Sequence, residues 1–105
     1  MGRIFVTGIG AITAIGNSVA ENHAALKAGT CGMGRLEMLS SLYADKLPVG
    51  EIKISTEDLK KKLNAFEPGI TRTSLLALHA FKECLNDSGL SLDKIQSKDT
   101  ALIGA

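Results

Sequence analysis

Two thiols, two imidazoles, a glycine-rich turn and a run of lysines are the parts of this sequence equipped for chemistry. Cys31 and Cys84 stand far apart, and neither has Cys or His at metal-ligand spacing. A nucleophilic thiol needs a base or a helix N-terminus to lower its pKa. Cys31 falls in a glycine loop instead, and Cys84 falls on the apolar face of a helical pattern, where a thiol behaves as a small hydrophobe. His23 and His79 lie on separate helical stretches with no carboxylate spaced to orient them, and both read as half-buried helix residues. Lys60, Lys61 and Lys62 form a basic run with Arg72 beyond it. A solvated helix face explains the run, and a docking patch for an acidic partner is the sharper reading.

The opening "RIFVTGIGAITAIGNS" suggests a phosphate loop and then contradicts it. A dinucleotide fingerprint needs glycines at its first, third and sixth places, which here are Gly8, Gly10 and Thr13. Thr13 lacks the bare backbone for close packing, and no acidic residue ends a second strand about twenty residues on. A nucleotide P-loop is ruled out because no Gly-Lys-Ser or Gly-Lys-Thr follows.

The elements that would position these groups follow from pattern. Residues 3–7 read as a strand covered on both faces. Ser18 and Glu21 have capping-box spacing and open a helix whose narrow apolar stripe is Val19 and Leu26, stopped at Gly29. "GEIKI" alternates as a half-exposed strand, with Ile52 and Ile54 on one face and Glu51 and Lys53 on the other. Ser55 caps a short charged helix that Pro68 and Gly69 break. Residues 71–88 form the strongest helix, with Leu75, Leu78, Phe81 and Leu85 on a face widened by Leu76 and Cys84. "SLDKI" reads as a turn, and "TALIGA" as another short apolar strand. The order β–α–β–α–α–β is that of an α/β layered fold in a single domain, residues 1–105, without an internal boundary.

Bulk properties exclude several functions. A net charge of +1 gives no pull toward nucleic acid, and with no Trp, one Tyr and three Phe there is no base-stacking surface. The apolar run after Arg3 is interrupted by Thr7, Gly8, Gly10 and Thr13, unlike a signal peptide, and no segment approaches the roughly 18 apolar residues of a membrane helix. Two unclustered thiols fit a reducing compartment, so the protein is expected in the cytoplasm.

Taken in order, four motifs resemble the N-terminal segment of the β-ketoacyl-[acyl-carrier-protein] synthases. "RIFVTGIGAITAIGNSV" is similar to the family's opening strand and turn, and "ALKAGTCGM" to its helix end and loop. "SLLALHAFKECLNDSGL" is similar to its long helix, and "TALIGA" to the strand beyond. Ala14 stands where the family commonly has Pro, His23 where Trp is frequent, and Cys31 where Ser is usual. The resemblance leaves the branch open between fatty-acid synthesis, polyketide synthesis and an unusual pathway.

The resemblance implies the N-terminal part of a thiolase-like layered αβαβα fold, incomplete in this chain, in which Gly8, Gly10 and Gly16 are architectural. It implies decarboxylative Claisen condensation between an acyl thioester and a malonyl unit on acyl carrier protein. No cofactor is implied beyond the carrier's phosphopantetheine, and the full-length family is homodimeric. The family's catalytic Cys and two His lie downstream, and Cys31, Cys84, His23 and His79 match none of them. Residues 1–105 alone are therefore expected to be inactive and, with unpaired strand edges, to self-associate. Lys60, Lys61, Lys62 and Arg72 are the candidates for receiving the carrier. A non-catalytic α/β binding or structural module, or part of a non-catalytic partner subunit, is the alternative.

Overall fold

The computed structural model describes residues 2–104. Its elements are α1 (Val19–Lys27), β1 (Met33–Gly34), β2 (Val49–Gly50), α2 (Thr56–Leu63), α3 (Arg72–Ser88) and α4 (Leu92–Ile95). Helices and a small sheet suit an α/β class, but the strand content and the order differ from expectation.

Helix starts obey local chemistry. Ser18, Ser55 and Thr71 each sit in extended backbone, and each side-chain oxygen accepts from the amide three residues on. Each cap satisfies one of the orphan amides of its first turn. The Glu21 carboxylate reaches back to accept from the Asn17 amide at 2.6 Å, one residue short of the usual capping-box donor. At the other ends, Gly29 (φ 68°) follows α1 and Gly89 (φ 66°) follows α3 in the left-handed conformation. Helix α2 ends earlier than Pro68 and Gly69 suggest. Asn64 takes the left-handed position instead (φ 52°), which Asn tolerates better than most residues.

The core lies between α2 and α3. Leu59, Leu75 and Ala65 are buried, with Ile12, Ile54, Leu63, Ile70 and Leu76 packed against them. Leu78 and Phe81, expected on the same face of α3, remain 39% and 41% exposed. On α1 the expected stripe also differs, since Leu26 is exposed and Asn22 is the buried residue. Asn22 donates to the carbonyls of Gly16 and Ser18 and accepts from the Thr13 hydroxyl, so its polar atoms are satisfied inside.

Among the described residues, neither expected terminal strand forms a ladder; Ala105, the last residue of "TALIGA", lies outside them. Residues 4–6 take no regular secondary structure, with Ile4, Phe5 and Val6 72–98% exposed, and Leu102 and Ile103 are 85% and 92% exposed. Strand pattern alone does not make a strand, because the backbone groups need a neighbour to bond to. The sheet that does form is a two-residue antiparallel pair, Met33 opposite Gly50 and Gly34 opposite Val49.

The alternation of "GEIKI" also fails at one position. Glu51 is buried rather than solvent-facing. Its carboxylate accepts from the amides of Glu37 (2.7 Å), Met38 (2.9 Å) and Leu39 (3.0 Å). Lys53 adds an ion pair at 3.0 Å and donates to the Arg35 carbonyl. Burial pushes the Glu51 carboxyl up, but the Glu37 amide, Lys53 and the other two amides outweigh it and hold the pKa at about 2. Glu51 is thus an anionic staple that closes the segment from Arg35 to Gly50.

The Cα radius of gyration is 16.4 Å, against about 13 Å for a compact 100-residue domain. Among the described residues, the closest helix packing is between α2 and α3, and α3 also receives the glycine turn.

Candidate functional site

The glycine turn leans on α3 at backbone distance. A Cβ on Gly10 would fall 1.9 Å from the Ala80 carbonyl oxygen, and one on Gly8 would fall 2.4 Å from that of Cys84. A Cβ on Gly16 would meet the Asn22 amide nitrogen at 2.6 Å. These glycines are there for close approach, because any side chain would push the turn off the helix.

Three amides that could have cradled a phosphate are already in use. Ile9 N–H donates to Asp87 (3.0 Å), and Ala11 N–H donates to Glu83 (2.9 Å). Val19 N–H, at the start of α1, donates to the other oxygen of Glu83 (2.8 Å). A carboxylate from the same chain thus occupies the place an external anion would take at a helix N-terminus. The amides of Ala11 and Val19, in that order, hold the Glu83 carboxyl below its ordinary pKa against the opposing effect of burial, and nearby His79 adds to the lowering. His79 is buried, and its Nε2 lies 2.7 Å from the Asn17 carbonyl. A carbonyl can only accept, so Nε2 carries the hydrogen.

Beside this contact lies a cavity of about 300 Å³, lined by Asn17, Ser18, His79, Glu83 and Asn86 with Lys62 and Lys82. Lys61 and Lys62 are exposed on the last turn of α2, while Lys60 is partly covered and lies 3.8 Å from Glu57. The structure does not bring Arg72 to this face. Its guanidinium donates to the Ile52 carbonyl (2.8 Å) and the Thr56 hydroxyl (3.3 Å), at the opposite end of α2. Lys82 was missed in the sequence because an isolated lysine on a long helix gives no signal; its place one turn after His79 carries it to the same cavity as Lys62.

The remaining candidates stay apart. Cys31 is exposed, and Cys84 is half-buried under the glycine turn. His23 is exposed on α1, contrary to the half-buried reading, because α1 packs through Asn22. Among the described residues, no three His, Cys, Asp or Glu side chains come together to hold a metal ion. Nor is any described helix long and apolar enough to cross a membrane.

Comparison with known proteins places this arrangement. Residues 1–105 match the family model described as "Beta-ketoacyl synthase, N-terminal domain". The chain is 29% identical over 104 residues to 3-oxoacyl-[acyl-carrier-protein] synthase 1 of Haemophilus influenzae, covering 98% of this chain and 25% of that protein. It therefore spans about a quarter of the length of the curated relative it matches. No solved structure matches. From its opening glycine turn to its last residue, the chain belongs to the beta-ketoacyl synthase family.

Proposed function

We propose that this chain forms the N-terminal part of an enzyme that elongates an acyl thioester with a malonyl unit carried on acyl carrier protein. The observation carrying this reading is the family match across the whole chain, and the name of the Haemophilus influenzae relative points to the 3-oxoacyl product. In the proposed reaction a cysteine thiolate outside residues 1–105 takes the acyl group from its carrier. Two histidines, also outside them, assist loss of carbon dioxide from the malonyl unit. The resulting carbanion attacks the thioester carbon, forming the new carbon–carbon bond and expelling the thiolate. Fatty-acid synthesis is the favoured pathway. A cytoplasmic homodimer that uses no cofactor beyond the carrier's phosphopantetheine belongs to the same reading.

Residues 1–105 contribute scaffold and docking charge. The exposed runs at residues 4–6 and 101–104 are suited to join a larger sheet, and in their isolated state to pair with another copy. Lys60, Lys61 and Lys62, with Lys82 beside Lys62, offer a positive face to an acidic carrier. Arg72 stands apart from this face, at the other end of α2, where it donates to Ile52 and Thr56.

Replacing all three α2 lysines by glutamate in the full-length enzyme is expected to raise the KM for acyl carrier protein about tenfold at low salt, with kcat little changed. Glutamates also oppose the dipole at a helix C-terminus, so the Lys→Gln series serves as the milder companion and is expected to give a smaller rise. An unchanged KM in both series would remove the docking role.

A further inference from the structure

The polar side of α3 is organised in a way that neither the scaffold nor the docking role requires. His79, Glu83 and Asp87 recur at four-residue steps and so share one face of the helix. Each is bonded to the backbone of the segment from Ile9 to Val19: Asp87 to Ile9, Glu83 to Ala11 and Val19, and His79 to Asn17. Glu83 alone joins two separate points, the glycine turn and the first residue of α1, through its two oxygens.

We propose that the Glu83 carboxylate is a proton-releasable latch that holds the segment from Ile9 to the start of α1 on α3, and that neutralising it frees this segment while the α2/α3 core stays folded. The chemistry is specific to the anion. Both oxygens of a carboxylate accept, whereas a protonated acid or an amide presents one acceptor and one donor. Neutral Glu83 must therefore release one of its two amides or set a donor against a donor. The buried core residues Leu59, Ala65 and Leu75 all lie outside the latched segment, which touches them through Ile12, so release of the segment leaves the α2/α3 pair its own contacts.

The neighbouring charges confine the release to acid. Facing Glu83 are His79, Lys82 and Asp87 on α3, His23 on α1 and Lys62 on α2. The lysines and the neighbouring His79 favour the anionic form of Glu83. Asp87 opposes this only weakly, being the last of the influences on Glu83. Because folding lowers the Glu83 pKa, the grip is complete above the ordinary value of 4.5 and is lost as pH falls through the lower folded-state value.

Amide hydrogen exchange on the full chain, expressed as protection factors, tests the latch. At pH 7, Glu83→Gln is expected to lower protection at Ala11 or Val19 about tenfold and to leave the Leu59 and Leu75 amides unchanged. Unchanged protection at both Ala11 and Val19, or an equal loss at Leu59 and Leu75, overturns the proposal. Should Glu83→Gln fail to fold, the wild-type protein decides. Between pH 6 and pH 3 the Ala11 and Val19 amides must lose protection before the core amides do, and simultaneous loss contradicts the latch.

Discussion

Gly10→Ala is expected to cost about 3 kcal/mol of stability, among the largest effects open to a single methyl group. The new Cβ would lie 1.9 Å from the Ala80 carbonyl oxygen and 2.8 Å from the Cys84 amide nitrogen. Neither obstacle can rotate away, because both are main-chain atoms inside α3. Relief requires the turn to lift, and lifting breaks the bonds from Ile9 to Asp87 and from Ala11 to Glu83. Gly34→Ala is the control: its Cβ would have nothing within 4 Å and its backbone has no positive φ. Urea midpoints of the two variants check the prediction. Equal shifts would mean that the turn does not sit on α3 as described.

Leu75→Ala is expected to be as damaging, at about 3 kcal/mol, by the opposite mechanism. Leu75 and Leu59 have no exposed surface, and with Ala65 they make up the fully buried apolar core. Removing the isobutyl end leaves a void among Leu59, Leu76 and their neighbours that two helices held by so few contacts cannot close. A whole domain has about 5–15 kcal/mol of stability, so a core this small has little reserve. Leu42→Ala, at a position 90% exposed, is expected to change the unfolding midpoint hardly at all. Similar midpoint shifts for Leu42 and Leu75 would contradict the location of the core.

What the sequence revealed and what it hid divide along the range of the interactions. Ser18, Ser55 and Thr71 were legible as caps because cap and amide are three residues apart, and Gly29 and Gly89 as stops because their left-handed backbone is a local demand. The inward turn of Glu51 was hidden, since its amide donors lie 12–14 residues earlier and alternation alone points the side chain to water. The runs at 4–6 and 101–104 have strand composition, but a ladder depends on a partner that no residue pattern supplies.

The candidate site was half legible. The lysines of α2 announced themselves as a run, whereas His79, Glu83 and Asp87 looked like the ordinary wet side of an amphipathic helix. They proved to be the side that meets the glycine turn, 62–78 residues away in sequence. Arg72 looked available because a sequence cannot show that its donors reach Ile52 and Thr56. The absence of a third correctly placed glycine at Thr13 was informative: the turn is fitted to a helix, and two of its amides are bound to that helix's carboxylates.

The most direct measurement is a condensation assay that supplies acyl-[acyl carrier protein] and malonyl-[acyl carrier protein] and reads carbon dioxide release with 3-oxoacyl product. It would be run on the protein encoded by the complete reading frame and on residues 1–105 alone. Membership of a condensing synthase, with the reacting cysteine and histidines outside this chain, predicts product from the complete protein and none from residues 1–105. Product from residues 1–105, or none from the complete protein, would contradict it.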